Sequence, residues 1–236
     1  MSKLKYIAEI PARLGSQRVK QKNLRLIEGE PMIAYAIKAC KNANNISEVY
    51  VNTESDLIGR VALDYGVKYY KRSQELALDH IVSDQFNYDF LKKIECEALV
   101  MVNPVSPLVE SSDIEEAIKF FEINQLDSMI SVKDERLQSF YQGKPLNFDK
   151  EKLLPMTQDI NPIQICVWTI CIWRRESFIK AYEKNGYAVF NGKFALWPIN
   201  PLKSIKISYE EDFILAEQLL KARKYCKKSE VKYYGE

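Results

Sequence analysis

An apolar run, Leu4 to Ile10, empties into Pro11-Ala12-Arg13-Leu14-Gly15-Ser16-Gln17-Arg18-Val19-Lys20-Gln21-Lys22-Asn23. The run has the length and character of a buried strand. The segment after it is dense in cations and small residues, the layout of a phosphate-binding loop at a strand end. Gly15 has no side chain to keep an anion away from backbone N–H groups, and Arg13 can fork onto two phosphate oxygens. Lys22 offers a compact charge suited to a reacting phosphoryl group. A hairpin-like turn around Glu28-Gly29-Glu30 then leads to a helix opened by Pro31.

Strand and helix signals alternate beyond this point. Strands are expected over Glu48–Thr53, Val67–Arg72, Ala98–Asn103 and Asp127–Val132. Helices are expected over Asp56–Tyr65, closed by Gly66, over Val82–Ile94, and from a cap at Ser111-Ser112-Asp113 to Phe121. The all-apolar stretch from Ala98 suits a central strand covered on both faces. Alternation of this kind implies right-handed crossovers and a doubly wound, mainly parallel α/β sheet. Ligands of such sheets sit at the carboxyl ends of the strands, so the loops after Ile10, Thr53, Arg72 and Asn103 should meet at one cleft.

The pattern weakens from Lys133 to Pro162, which reads as an inserted lid or arm within a single unit spanning residues 1–236. Its Leu137, Phe140, Tyr141, Leu146, Phe148, Leu153, Leu154 and Met156 are too many large apolar groups for a solvated loop, and a twofold homodimer is expected to use them. Regular structure resumes over Ile163–Trp173, and a helix over Glu210–Cys226 leads to a solvated basic tail with Lys224, Lys227 and Lys228.

Hydrophobic residues make up 47% of 236, enough for a sizeable core, and the net charge of +2 argues against a general nucleic-acid binder. No apolar run is long enough to span a membrane and no secretory leader is visible, so a cytoplasmic protein is expected. The five cysteines, Cys40, Cys96, Cys166, Cys171 and Cys226, form no C-x-x-C pair and read as reduced thiols. Zinc at Cys166 and Cys171 is disfavoured, because the one histidine, His80, is far away in sequence. Trp168, Trp173 and Trp197 read as core or interface aromatics.

The first loop resembles the I-P-A-R-x-G-S-K…K-N signature of the acylneuraminate cytidylyltransferases, enzymes that activate sialic-acid-type sugars. Arg13, Gly15, Ser16, Lys22 and Asn23 match it, while Gln17 stands at a usual lysine. Asn52-Thr53-Glu54, Lys71 to Asp79, Asn103 to Leu108, Asp127 to Val132 and Glu211-Asp212-Phe213 resemble later family elements in order. The likeness covers most of the chain apart from about 133 to 200.

The resemblance implies the Rossmann-like fold of nucleotide-diphospho-sugar transferases. It implies attack of a sialic-acid-like ulosonic sugar's anomeric hydroxyl on the α-phosphorus of CTP, with pyrophosphate leaving. Arg13 and Lys22 would bind the triphosphate, and Ser16 and Asn23 phosphate or ribose. Arg72, Asp79 and Ser83 would border the nucleoside. Asn103 stands where the family has a glutamine that faces the acceptor, and Gln158 and Gln164 are this chain's own further candidates for contacting it.

The family's Asp-Ile-Asp element, which holds catalytic Mg2+, corresponds here to Lys206-Ile207-Ser208. Magnesium prefers carboxylate oxygens, so Glu210, Glu211 or Asp212 would have to serve after a shift of register, Glu211 and Asp212 first, unless Lys206 points away and takes over part of the ion's charge. The sugar side also departs from the family, with Trp168 where a small residue is common. Two further readings therefore stay open: a non-catalytic nucleotide- or sugar-binding relative, and a nucleotidyltransferase with another nucleotide or acceptor.

Overall fold

The structure is a computed structural model that describes residues 6–16, 18–225, 233 and 234. Leu4, Gln17, Cys226, Lys227 and Lys228, named above from the sequence, lie outside them. Seven strands form the central sheet: β1 (Tyr6–Pro11), β4 (Ile46–Thr53), β5 (Lys68–Lys71), β6 (Ala98–Val102), β7 (Ser128–Glu135), β10 (Ile163–Arg174) and β11 (Phe194–Pro198). Their spatial order is β11-β7-β10-β6-β1-β4-β5. Among the described residues two short hairpins complete the strands, β2 (Leu26–Ile27) with β3 (Glu30–Pro31), and β8 (Phe140–Tyr141) with β9 (Lys144–Pro145).

β1 pairs in parallel with both β4 and β6, β4 with β5, and β7 with β11. Only β10 runs against its neighbours, β6 and β7. The expected mainly parallel sheet is therefore present, with one reversed strand near its middle. The reversal has a physical basis: parallel neighbours need a crossover, whereas β7 returns directly into β10 through the 136–162 segment.

The helices are α1 (Met32–Asn42), α2 (Asp56–Asp64), α3 (Ser83–Lys93), α4 (Ser111–Ile123), α5 (Arg175–Asn185) and α6 (Glu210–Tyr225). Ser55 caps α2 by accepting from the Ile58 N–H, and Gly66 follows that helix in the left-handed region at φ +72°. The start of α4 corrects the sequence reading. Ser111 and Ser112 lie inside the helix, and the Asp113 carboxylate reaches back to accept from the Glu110 N–H at 2.8 Å.

α5 and β11, like the small β8–β9 hairpin, were not anticipated. α5 buries only Phe178, so its apolar stripe is thin. β11 is short and sits at the sheet edge beside β7.

Two apolar layers cover the sheet. Ala8, Ile10, Val51, Val100 and Ile172 pack toward α1, α2 and α4 through Ile37, Ile58 and Ile118. Ile7, Leu99, Met101, Cys171 and Trp173 pack on the other face toward Phe90 of α3 and Phe178 of α5. A third cluster joins Val19, Ile27, Met32, Val105 and Leu108 to Ile207 and Phe213, which fastens the 205–213 stretch beside the strand ends. Trp173 is fully buried in the core, and Trp197 nearly so.

Beneath the strand ends lies a buried carboxyl, Glu9 on β1, which accepts from Asn52 Nδ2 at 2.5 Å. Burial pushes its pKa up to about 8, against smaller opposing effects of the Asn52 hydrogen bond and the Arg72 charge. The native state thus holds a proton that the unfolded chain releases above its ordinary range near 4.5. By linkage, this group's contribution to stability is full below that range and is lost as pH rises towards 8. Glu9→Gln should flatten that decline. Urea denaturation midpoints from pH 5 to 8.5 measure it, and an unchanged slope in the variant would remove Glu9 from the balance.

Candidate active site

The loops after β1, β5 and β6 meet at the carboxyl edge of the sheet around a cavity of about 680 Å³. The cleft gathers Arg13, Ser16, Lys22, Asn23, Arg72, Asp79 and Asn103 from the sequence reading. It adds Arg18, Lys206 and an apolar wall of Leu76, Leu78, Ile81 and Phe86. A second hollow, about 820 Å³, is lined by Glu95, Asp127, Arg174 and Lys180 at the opposite edge, and it holds none of those residues.

The first loop is held from below. The Leu14 N–H donates to Glu54 Oε1 at 2.8 Å, and the buried Asn23 donates its amide to the Arg13 carbonyl at 3.1 Å. Asn23 therefore braces the loop as well as lining the cleft. At Gly15 a Cβ would meet nothing within 4 Å, and its φ is not left-handed. Packing does not demand glycine there, and the bare backbone leaves room on the side facing out.

Arg13 Nη1 pairs with Asp79 Oδ1 at 2.5 Å and also donates to the Ala77 carbonyl at 3.3 Å, joining the first loop to the one after β5. Arg72 is almost wholly buried, donates to the Ala12 carbonyl at 3.2 Å, lies 3.5 Å from Glu54 and has Phe86 beneath its guanidinium. Asn103 shapes its own turn, its side-chain oxygen accepting from the Val105 N–H and its N–H donating to the Thr169 carbonyl.

Lys22 is the most perturbed cation in the cleft. Its Nζ donates to the Ile207 carbonyl at 2.9 Å. Burial, then the charges of Arg18, Lys206 and Arg13, push its pKa down to about 8, with Asp212 acting in the opposite direction. Five basic side chains and one carboxylate line the cavity among the described residues. That imbalance makes the cleft an anion site, and an ammonium with its pKa lowered by burial and named charges marks functional ground.

Some predicted residues are elsewhere. Ser83 starts α3 outside the cleft lining, where Ile81 and Phe86 reach in instead. Gln158 lies exposed in the inserted segment, and Gln164 donates to Asp134 Oδ1 at 3.1 Å between β10 and β7. Neither lines the cavity.

The carboxylates proposed for magnesium do not come together at the cleft. Asp212 Oδ2 accepts from the Ser208 and Tyr209 N–H groups at 2.8 Å each, which caps α6. Glu210 forms a two-pronged pair with Arg25 at 2.6 Å, and Glu211 faces solvent. Among the described residues no three His, Cys, Asp or Glu side chains are grouped to hold a metal. The donor set thus does not fit a protein-held Mg2+, because the cleft's Asp79 is already paired with Arg13 and Lys206 stands nearby.

The sequence profile of the cytidylyltransferase family matches residues 7–219. This chain belongs to that family. A post-translational flagellin modification protein B of Campylobacter coli is 27% identical over 235 residues, 92% of this chain and 95% of the relative. A CMP-N,N'-diacetyllegionaminic acid synthase of Legionella pneumophila is 28% identical over 92% of this chain and 97% of its own length. An N-acylneuraminate cytidylyltransferase of Streptococcus agalactiae serotype III is 31% identical over 89% of this chain, which spans about half, 52%, of that relative.

In fold, the cytidylyltransferase superposes on a CMP:2-keto-3-deoxy-manno-octonic acid synthetase solved with CTP, at TM-score 0.71, 15% identity, and 93% and 99% coverage. The same fold is shared by a 4-diphosphocytidyl-2C-methyl-D-erythritol synthase of Anaerococcus prevotii, at TM-score 0.60 and 14% identity over 92% of this chain and 99% of the other. The resemblance read from the first loop is thus borne out at the level of family and fold.

The lowered Lys22 pKa yields a signed prediction. A bound polyanion favours the charged amine, so affinity is full below about pH 8 and falls as pH rises through and beyond that value. Titrating CTP from pH 6.5 to 9.5 should show this loss, and Lys22→Arg, which keeps its charge, should not. Equal pH profiles for the two proteins would separate Lys22 from anion binding.

Proposed function

We propose that this cytidylyltransferase passes CMP from CTP to the anomeric hydroxyl of a sialic-acid-like ulosonic sugar. The sugar oxygen attacks the α-phosphorus, the bond to the β-phosphate oxygen breaks, pyrophosphate leaves, and the hydroxyl proton is lost to water. The observation that carries the reading is the convergence of Arg13, Lys22 and Arg72 on one basic cleft at the strand ends. In such a transfer the protein contributes mainly position and charge neutralisation.

Lys22 is assigned to the reacting phosphate and Arg13 to the outer phosphates. The nucleoside is assigned to the wall of Leu76, Leu78, Ile81 and Phe86, with Arg72 beside it. Asn103 is assigned to the acceptor. No step is assigned to Mg2+, since any ion would have to arrive on the triphosphate's own oxygens. The buried thiols Cys40 and Cys171 suit a cytoplasmic setting.

We assign residues 1–236 to one nucleotidyltransferase unit, with 133–162 as its dimerisation arm. Within one chain Phe140, Tyr141, Leu146, Leu154 and Met156 remain more than half exposed, and Leu153 almost fully. Water-facing apolar groups in that number favour burial against a second copy. Light scattering at micromolar concentration should give a dimer mass, and replacing Phe140 and Phe148 with serine should lower it. A parent protein of monomeric mass would rule the arm out as an interface.

Lys206 and Ser208 favour the second reading, a relative that binds without transferring. A pyrophosphate-release assay separates the two, using CTP, UTP, GTP and ATP with a panel of ulosonic acids and Mg2+. Turnover should require CTP and an ulosonic acid, and Lys22→Ala should slow it at least about a hundredfold. Tight CTP binding without release from any acceptor would establish the non-catalytic relative, and turnover with another nucleotide would reassign the donor.

A further inference from the structure

We propose that Lys206 and Arg18 are phosphate-binding residues, and that this ring of protein cations takes the charge-neutralising place of a protein-held divalent ion at the triphosphate. The inference rests on the nucleotide-site reading above and adds to it how the anion is held.

Three observations support it. First, Lys206 is fixed where it stands by its neighbour. Ile207 is fully buried, its N–H donates to the Val105 carbonyl at 2.8 Å, and its carbonyl accepts from Lys22. The backbone on which Lys206 sits is therefore tied to both the first loop and the loop after β6. Second, Arg18 reaches the same segment, its guanidinium 5.3 Å from the centre of the Tyr209 ring. That stacking aligns a planar, five-donor cation at the cleft mouth. Third, three carboxylates near this segment are committed, Asp79 to Arg13, Glu210 to Arg25 and Asp212 to the α6 cap, and Glu211 faces solvent outside the cleft lining.

Four cations, Arg13, Arg18, Lys22 and Lys206, thus face a cavity with one paired acid. Holding like charges together beside a half-buried lysine is unfavourable unless an anion joins them. A hydrated divalent cation would be repelled by the same group of charges. A nucleoside triphosphate offers enough oxygens to engage them all.

The test is calorimetric titration of CTP into the full chain at pH 7, in EDTA and in excess Mg2+. The dissociation constant in EDTA is expected within about threefold of that in Mg2+. Lys206→Ala and Arg18→Ala should each weaken CTP in EDTA about tenfold, the scale of one lost charge-assisted contact. Lys206→Arg should keep most of the affinity, and cytidine should bind all four proteins alike. Lys206 is exposed, so its variants should fold, and thermal unfolding midpoints check this. Binding of CTP only in Mg2+, or unchanged affinity in both alanine variants, would overturn the proposal while leaving the nucleotide site standing. No binding of CTP in either buffer would instead remove the nucleotide-site reading itself.

Discussion

The Ile207 peptide is the joint on which the cleft depends. Its side chain is sealed in the cluster formed with Val19, Ile27, Val105 and Phe213. Its N–H goes to the loop after β6, and its carbonyl takes the Lys22 ammonium. Three chain segments far apart in sequence are thereby held in one register. The contact also explains why a half-buried lysine keeps its place. The carbonyl dipole offsets part of the desolvation that burial and the neighbouring cations impose on Lys22.

Charge in this molecule is a local quantity. A net charge of +2 over 236 residues describes a nearly balanced chain, and surface pairs such as Lys71–Asp56 and Lys92–Glu183 account for much of the balance. Those exposed pairs contribute little to stability. Among the described residues, the basic side chains of the cleft lack such ion pairs apart from Arg13 with Asp79 and Arg72 with Glu54. Composition could exclude a protein coated in positive charge, but it could not reveal a concentration of cations at a single edge.

How much was legible depends on the kind of signal each element carries. The first strand, its loop and the Gly29 turn were readable because polarity, glycine and proline placement act locally. α5 was missed because only Phe178 among its residues is buried, so its pattern is that of a solvated stretch. The direction of β10 was not readable at all, since a run of apolar residues looks the same from either end. Arg13, Lys22, Arg72 and Asn103 fell into the cleft because parallel strands bring their loops to one edge. Arg18 and Lys206 were in view, one in the first loop and one at the Asp-Ile-Asp position, but neither was assigned to the cleft; Phe86 was overlooked because it comes there from a helix through tertiary contact. Magnesium is an expectation of the family resemblance, and the carboxylates near the expected position are not grouped to hold it: Asp212 Oδ2 caps α6 and Glu211 faces solvent.

The inserted segment and the cleft share a second joint, and it explains the strain at Trp168. β7 and β10 pair from Glu135 and Ile163 to Val132 and Cys166, then lose register until Ile130 meets Cys171. Between those points β10 carries more residues than β7 can match, and Trp168 takes up the excess at φ +60°. A left-handed tryptophan is costly and persists only where its surroundings fix it. Here they do: Thr169 accepts from the Asn103 N–H, the Ile170 N–H donates to Ser131 Oγ, and the Trp168 ring meets Phe190 edge-on at 5.9 Å. The bulge divides β10 into an inner half paired with both β6 and β7 and an outer half, paired with β7 alone, that follows the 136–162 segment. The bulge is also joined to the loop after β6, since Thr169, next to the strained tryptophan, accepts from the backbone N–H of Asn103 in the cleft lining.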